Sequence, residues 1–293
     1  LSDLLKYSRT QESAADAAAL KYLDQTGISS QGLLEFFQLL QRDIRLSGGR
    51  EHPYLSTHPL TNDRIATVSG HLALSRFSNT PIATDLARKH AYMRAKLIGF
   101  MEPLKRTLEI YPEDRNETPA RYARAIAYYR NADIEKALPL VNGLIADDPD
   151  NPYFHELKGQ MLLENGRVDD SLVPYERMVE LAPNEPLLRT ALGKAQVESG
   201  RAELLQPALK NLRVAVRVDP QMRDAWRLLT IVNGRLGNQG DLALSQAEFT
   251  LLNGDVKAAQ ALAERAIKLF PTGSPGALRA QDIVGETVRR LDK

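Results

Sequence analysis

The sequence contains no cysteine among its 293 residues. This absence excludes a disulfide framework, a thiolate zinc site and a cysteine nucleophile. A chain without cysteine is compatible with an oxidising compartment such as the periplasm, although many cytosolic chains also lack it.

Neither sign of charge dominates, since 38 Lys and Arg residues face 37 Asp and Glu residues, for a net charge of +1. This balance excludes a strongly basic nucleic-acid binder and an acidic disordered tail. No apolar run approaches the roughly 20 residues of a bilayer-spanning helix, so we predict no membrane span. The opening residues LSDLLKY lack the regions of a signal peptide and start inside a helical pattern. We therefore expect the chain to be a piece of a longer protein.

The second half of the sequence repeats itself with a period of 34 residues. Pro149 and Pro183 are 34 residues apart, and Pro220 follows after 37, because three residues are inserted near positions 202–206. Small residues recur at two positions of each unit, where two helices must touch. The first set is Ala125, Gly159 and Gly193, and the second is Ala137, Ser171 and Ala208. This pattern resembles the tetratricopeptide repeat, whose units stack into an α-solenoid.

The later repeats are less regular. Counting back from Pro271 places a unit only half a period after the previous one, so we expect a helix over 242–252 to belong to two units at once. A last helix over 276–291 should cap the stack, with Arg279, Arg289 and Arg290 on its outer face. The predicted solenoid begins near Thr118 and continues to the C-terminus.

The first helices of such a solenoid line a concave surface. The side chains that we place there are Tyr122, Tyr129, Arg130, Tyr153, Lys194, Arg227 and Arg235. They indicate either a groove for an extended peptide or ordinary solvated faces with tyrosine rings packed between units. No dense Lys/Asn cluster occurs, so a dedicated clamp for C-terminal carboxylates is not predicted.

Residues 1–100 carry the candidate chemistry. A predicted helix, capped by Ser8 or Thr10 and ended by Gly27, places Glu12 and Asp16 on one face, one turn apart. The alanines around them make this helix thin, so other elements can approach its backbone. As a bare pattern, two carboxylates on a helix are also typical of a solvated surface.

The rest of this segment favours a site. A second helix is predicted over Gln31–Leu46, and Thr61 or Asn62 should cap a third that begins at Asp63. R-x-x-E-x-x-x-D on a helix, followed by T-H-P-x-x-x-x-R, resembles the HtpX- and BepA-related zinc metalloproteases. The resemblance spans essentially the whole chain, because BepA-like members carry C-terminal tetratricopeptide repeats.

The resemblance implies roles for four residues. Glu12 matches the third zinc ligand, and Asp16 matches a carboxylate that orients a zinc-binding imidazole. His58 matches a loop histidine that can occupy the open zinc position and keep the site latent, although it could instead stabilise the transition state. Arg64 matches an arginine near the catalytic centre, suited to stabilising a developing oxyanion. His71, His90 and His155 are expected to be packing or surface residues.

One departure from that family is plain in the sequence. Two zinc ligands and the general base come from an H-E-x-x-H helix, which is absent here; His155-Glu156 is followed by Gly159 at the position of the second histidine. Either that helix lies upstream in a longer protein, or the chain is a degenerate relative. We expect this chain alone not to cleave peptides and to bind zinc weakly or not at all.

These observations together predict an all-α chain. Residues 1–100 would be the C-terminal part of a helical metallopeptidase domain, 101–117 a linker, and 118–293 a tetratricopeptide domain, with a long helix over 82–100. The resemblance implies a periplasmic parent, with a signal peptide upstream, in which zinc-activated water hydrolyses peptide bonds during envelope protein quality control. Its partners would be protein or peptide substrates, such as misfolded outer-membrane proteins, and the barrel-assembly machinery. The alternative is a non-catalytic repeat adaptor.

Overall fold

A computed structural model describes residues 2–46 and 60–291, with side chains from residue 10 onward. These ranges contain fifteen α-helices and a single 3-10 turn, and they contain no strand. The prediction of an all-α chain is therefore confirmed. The chain divides into two compact units, Leu1–Ala91 and Tyr92–Lys293.

The first unit is built on α1 (Ser2–Thr26), α2 (Gln31–Leu46) and α3 (Asn62–Leu74). Gly27 ends α1 as predicted, because its φ of +70° turns the chain so that the amide of Ile28 bonds back to Leu23. The predicted bounds of α2 are confirmed. The predicted cap at Ser8 or Thr10 is wrong, since both residues lie inside α1.

Four buried side chains hold these three helices together. Leu20 from α1, Leu34 and Phe37 from α2, and Val68 from α3 form one apolar cluster. Thr61 caps α3, because its side-chain oxygen accepts a hydrogen bond from the amide of Arg64 at 3.3 Å. This cap fixes where α3 begins, and therefore where Arg64 stands against α1.

The boundary between the units falls within α4 (Thr84–Met101), the long helix predicted over 82–100. The predicted linker over 101–117 contains a short helix, α5 (Leu104–Ile110), and belongs to the second compact unit. Thr107 and Tyr111 of this segment are buried. The helix of this segment lies between Pro103 and Pro112, and side chains of the segment nevertheless pack in the core.

The second unit is a stack of helices in which each packs on the next. Their bounds are α6 (Thr118–Arg130), α7 (Ile134–Asp147), α8 (Pro152–Glu164), α9 (Val168–Leu181), α10 (Pro186–Glu198), α11 (Leu205–Val218), α12 (Arg223–Leu236), α13 (Gln239–Leu252), α14 (Val256–Leu269) and α15 (Pro275–Leu291). The three inserted residues form the 3-10 turn Ala202–Leu204. The architecture is the predicted α-solenoid, beginning at Thr118.

The small residues stand where helices cross, as the period predicted. A Cβ atom on Gly159 would lie 2.6 Å from the ring of Tyr175, and one on Gly193 would lie 2.8 Å from Leu212. Both distances are too short for any side chain, so glycine lets the paired helices approach closely.

The end of the stack follows the predicted half period. Alternate helices contact each other as α10 with α12 and then as α13 with α15, so α13 directly follows one first helix and takes the place of the next. The capping helix α15 buries Ile283 and leaves Arg289 exposed. Arg279 is not simply an outer-face residue, because its guanidinium forms a two-point ion pair, at 2.5 and 3.0 Å, with the buried carboxylate of Glu248.

Candidate functional site

Glu12, Asp16 and Arg64 come together in the first unit. Both oxygens of Asp16 accept hydrogen bonds from Arg64, with Nε–Oδ2 at 2.6 Å and Nη2–Oδ1 at 2.7 Å. The remaining nitrogen, Nη1, lies 2.8 Å from Oε2 of Glu12. One guanidinium on α3 therefore holds two carboxylates that stand one turn apart on α1.

This cluster is shielded from water. Asp16 is 5% exposed, and the side chains of Arg64 and Glu12 are 11% and 15% exposed. The guanidinium lies over the ring of Phe37, with its carbon 4.8 Å from the ring centroid. Charged hydrogen bonds are strong in such surroundings, and a charge without its partner is costly there. The two carboxylates are therefore not a solvated surface pair.

The structure shows which partners two of the predicted site residues have. Within the described residues, both oxygens of Asp16 are bound by Arg64. Arg64 also contacts Glu12. The predicted roles of Asp16 in orienting a zinc-binding imidazole and of Arg64 in stabilising an oxyanion stay predictions. His58 lies outside the described residues, so its predicted role stays a prediction.

A complete metal site is not present in the described part of the chain. Across residues 10–46 and 60–291, no three His, Asp or Glu side chains are grouped as a metal would require. Glu12 can supply one oxygen ligand, whereas a catalytic zinc takes three protein ligands. These residues alone do not fit a zinc ion.

His71 has a structural role in the same unit. Its Nδ1 lies 3.1 Å from the hydroxyl of Ser30, and its Nε2 lies 3.0 Å from Asp24. Hydrogen bonds from Ser75 and from His71 lower the pKa of the Asp24 carboxyl. His155 is also buried, with its Nε2 2.9 Å from the carbonyl of Pro149. Both histidines are packing residues, as the sequence suggested.

The beginning of the predicted groove is contacted by the chain's own helix. In the second unit, residues 92–101 of α4 cross α6 at Gly99, where a Cβ atom would lie 2.8 Å from Ile126. Lys96 of α4 forms an ion pair with Glu156 of α8 at 2.9 Å. Arg130 donates a hydrogen bond to the carbonyl of Phe100.

Tyr122 and Arg130 therefore do not line a free groove. Tyr122 is 2% exposed, and its ring packs edge to face on Phe154 at 5.3 Å between centroids. Burial raises the pKa of the Tyr122 phenol. Of the two readings that the sequence left open, the packed tyrosine ring is the one that holds for Tyr122, whose ring belongs to the core. Tyr129 is half-buried, and its hydroxyl donates to Glu164.

The other four groove candidates remain accessible but are not gathered at one point. Tyr153 is 49% exposed, and the ammonium of Lys96 lies 5.5 Å from its ring centroid. Lys194 lies 3.8 Å from Glu198, within one helix. Arg235 donates to the carbonyl of Val197 at 3.0 Å, and Arg227 lies 3.5 Å from Asp224.

The sequence reasoning missed the residues of α13 and α14 that face Arg227. Gln246 and Phe249 from α13, with Leu262 from α14, line a cavity beside it. No sequence pattern marks these residues as neighbours, because they come from three different helices.

Two family models match this chain. Residues 3–72 match the model of Peptidase family M48, and residues 122–186 match that of the tetratricopeptide repeat. The cluster of Glu12, Asp16 and Arg64 lies inside the first match.

The chain is also similar to curated proteins. It is 21% identical to the beta-barrel assembly-enhancing protease of Yersinia pestis over 297 residues. The aligned region covers 99% of this chain and 59% of that relative. It is 37% identical over 68 residues to metalloprotease YcaL of Escherichia coli K12, which covers 23% of this chain and 26% of that protein. A solved structure of MamA is 21% identical, with a TM-score of 0.44, and covers 61% of this chain and 95% of its own.

These findings confirm the predicted resemblance to BepA-like metallopeptidases that carry tetratricopeptide repeats. The chain spans about half the length of the curated relatives that it matches. None of the helices in the described ranges combines the length and the apolar character that a membrane crossing needs.

Proposed function

We propose that this chain is the carboxy-terminal portion of a zinc-dependent metalloendopeptidase that acts in cell-envelope protein quality control. The observation that carries the proposal is the shielded cluster of Glu12, Asp16 and Arg64 inside the segment that matches Peptidase family M48. A carboxylate held in one orientation away from water is a suitable ligand for a catalytic metal.

In the whole protein, Glu12 would supply one zinc ligand, and the H-E-x-x-H helix would supply the others. Bound zinc polarises a carbonyl and generates hydroxide from water near neutral pH. The role of this chain is preparatory: Asp16 fixes Arg64 through two hydrogen bonds, and Arg64 fixes the carboxylate of Glu12. Because Arg64 is itself held by the cap of α3 and by Phe37, Glu12 needs little further ordering when it binds.

His58 would act as a latch in the whole protein. If its imidazole fills the open metal position, removing it should raise basal proteolysis and leave the zinc content nearly unchanged. His58→Ala in the full-length protein tests this idea. A variant that retains zinc yet cleaves more slowly than wild type would show that His58 stabilises the transition state instead.

The repeats would dock partners rather than take part in hydrolysis. The names of the curated relatives refer to beta-barrel assembly, so we place the parent in the periplasm, with misfolded outer-membrane proteins and the barrel-assembly machinery as its partners. Among the groove candidates, Tyr153, Arg227 and Arg235 are exposed and Lys194 is half-buried, whereas the exposed Arg130 is engaged by α4.

Casein cleavage by the full-length protein tests the proposed activity. We expect zinc-dependent cleavage that Glu12→Gln abolishes, whereas the 293-residue chain alone is inactive. Glu109→Gln is a matched control, because this carboxylate is 49% exposed and its ion pair within the described residues is with Arg106, one turn away on the same helix. Equal activity in wild type and Glu12→Gln would refute the role of Glu12.

The lack of H-E-x-x-H in this sequence favours a second candidate, a non-catalytic repeat adaptor. In that case the Glu12 cluster would only join α1 to α3. A full-length protein that binds partners through its repeats but contains neither zinc nor protease activity would support the adaptor.

A further inference from the structure

The half-period shift of the solenoid leaves a cavity between three helices. Both α12 and α14 pack on α13, and these two outer helices make no extensive contact with each other. The space between them has a volume of about 330 Å³. Its apolar lining comes from Ile231, Phe249 and Leu262, one residue from each helix. Cavities of this size lie at the lower end of the range seen for ligand sites.

Polar groups stand at the edge of this cavity without strong partners in the chain. The side-chain amide of Gln246 and the hydroxyl of Thr250 make no hydrogen bond within the described residues, although both line the cavity. The side chain of Arg227 is 44% exposed, and Asp224, 3.5 Å away, is itself 79% exposed. An exposed pair of this kind contributes little, so Arg227 can exchange Asp224 for another anion at small cost.

The charge of this face differs from that of an equivalent face earlier in the solenoid. Arg227, Ile231 and Arg235 are spaced four residues apart, so they form one stripe along α12. The corresponding stripe on α8 is acidic and consists of Glu156, Gln160 and Glu164. The cavity therefore opens beside a positive stripe, which is complementary to a carboxylate.

We propose that this cavity binds a protein segment in which a bulky apolar side chain stands next to an Asp or Glu. The inference rests on the docking role proposed above for the repeats. The apolar side chain packs between Ile231, Phe249 and Leu262, and the neighbouring carboxylate pairs with Arg227. The amide of Gln246 can donate to and accept from the backbone of an extended segment. A side-chain carboxylate is favoured over a chain terminus, because none of the described residues that line the cavity is Lys or Asn.

Fluorescence anisotropy with the 293-residue chain tests the proposal. The probes are labelled extended peptides, with both ends blocked, that carry Glu-Phe, Lys-Phe or Glu-Ala in the same Ser/Gly sequence. We expect Glu-Phe to bind about tenfold or more tightly than Lys-Phe or Glu-Ala, since each change removes one of the two contacts. Equal affinity for all three peptides would overturn the proposal, as would binding that appears only when the C-terminus of the Glu-Phe peptide is left unblocked.

Variants of the chain assign the contact to Arg227. Arg227→Glu should weaken Glu-Phe binding about tenfold or more and strengthen Lys-Phe binding. Arg217→Glu is the control, because it makes the same charge change at an exposed residue of α11 that neither lines the cavity nor belongs to the stripe on α12. If the two variants weaken Glu-Phe equally, net charge explains the binding and the proposed contact is refuted. Arg227→Met, checked for helix content, provides a second variant without charge reversal.

A failure here is distinguishable from a failure of the proposed enzyme activity. If casein cleavage depends on Glu12 but the Glu-Phe peptide does not bind, the cavity proposal fails and the peptidase proposal stands. If the peptide binds through Arg227 but the full-length protein has no protease activity, the cavity proposal stands and the adaptor becomes the better description.

Discussion

Replacing Arg64 by methionine should destabilise the first unit selectively. The substitution retains a long apolar stem over Phe37 but removes the cation that two carboxylates share. Asp16, which is 5% exposed, would then lie one helical turn from Glu12 without the guanidinium that both carboxylates contact. The loss of the ion pairs and the repulsion between the two carboxylates both destabilise the first unit.

The size of the effect follows from the burial of the cluster. Breaking a buried ion pair by removing one partner costs about 3–5 kcal/mol. Because Glu12 is 15% exposed and can turn towards water, we place the cost for Arg64→Met at the lower end, about 3 kcal/mol. Arg64→Lys should cost less, since it retains the charge but loses the two-point contact with Asp16.

Hydrogen exchange followed by mass spectrometry measures this cost in each unit separately. Amides of α1 and α3 that exchange through opening of the first unit should exchange roughly a hundredfold faster in Arg64→Met, as a loss of about 3 kcal/mol requires. The single tryptophan, Trp226, belongs to the second unit, so its fluorescence during urea unfolding serves as an internal control.

A second substitution separates charge from packing. Asp16→Asn added to Arg64→Met should restore much of the protection, because it removes one of the unpaired charges and retains the shape. Unchanged exchange in α1 and α3 of the single variant would refute the claim that Arg64 holds the two carboxylates. Equal losses in both variants would show that the shape of arginine, and not its charge, supports the unit.

Three further predictions concern the solenoid. Arg279→Ala should lower the free energy of unfolding by about 3 kcal/mol, measured by urea unfolding with Trp226 fluorescence, because it removes the ion-pair partner of the buried Glu248 carboxylate. Adding Glu248→Gln should recover part of this loss. Gly159→Ala should lower the free energy of unfolding by about 1–3 kcal/mol, since the added methyl group would lie 2.6 Å from a tyrosine ring. The control Gly143→Ala, whose methyl group would have its nearest neighbour at 3.6 Å, should instead stabilise its helix by up to about 1 kcal/mol. Burial, together with a hydrogen bond to Glu113, raises the pKa of Tyr128 to about 12, so the folded unit holds this proton to a higher pH than the unfolded chain does. The free energy of unfolding should therefore keep its full value below pH 10 and fall as the pH rises towards 12, and tyrosinate absorbance from Tyr128 should appear together with unfolding.

The regular parts of the fold could be predicted because local rules determine them. The period of 34 residues reports helix pairs of constant length, and the small residues at the crossings report how closely those helices approach. The shared helix α13 was predictable from the half period. The cavity beside it was not, since its lining comes from three helices whose separation no sequence pattern records.

The contact of α4 with α6 and α8 depends on tertiary packing that the period does not encode. Gly99 is the small residue at this crossing, but it lies outside the repeats, so no second copy marks it as a crossing position. The sequence therefore left Tyr122 open between the groove and a packed position, and the fold buries it. An aromatic residue on a first helix can face either the core or the groove, and the sequence alone does not decide between them.

The candidate site was partly predictable. The spacing of Glu12 and Asp16 places them on one helical face, and the family resemblance brought Arg64 to the same region. The ion pairs of Arg64 with both carboxylates were not predicted, because 48 residues separate Arg64 from Asp16 and their contact depends on how α3 packs on α1.

The zinc content of the full-length protein, measured by atomic spectroscopy on wild type and on Glu12→Gln, is the most direct test of the proposed metallopeptidase. We predict one zinc ion per wild-type chain and a large loss of zinc in the variant, because the substitution removes a primary ligand. Asp16→Asn should lie between the two, since it loosens Arg64 without removing a ligand. Equal zinc in wild type and Glu12→Gln, or no zinc in either protein, would contradict the assignment of Glu12 as a metal ligand.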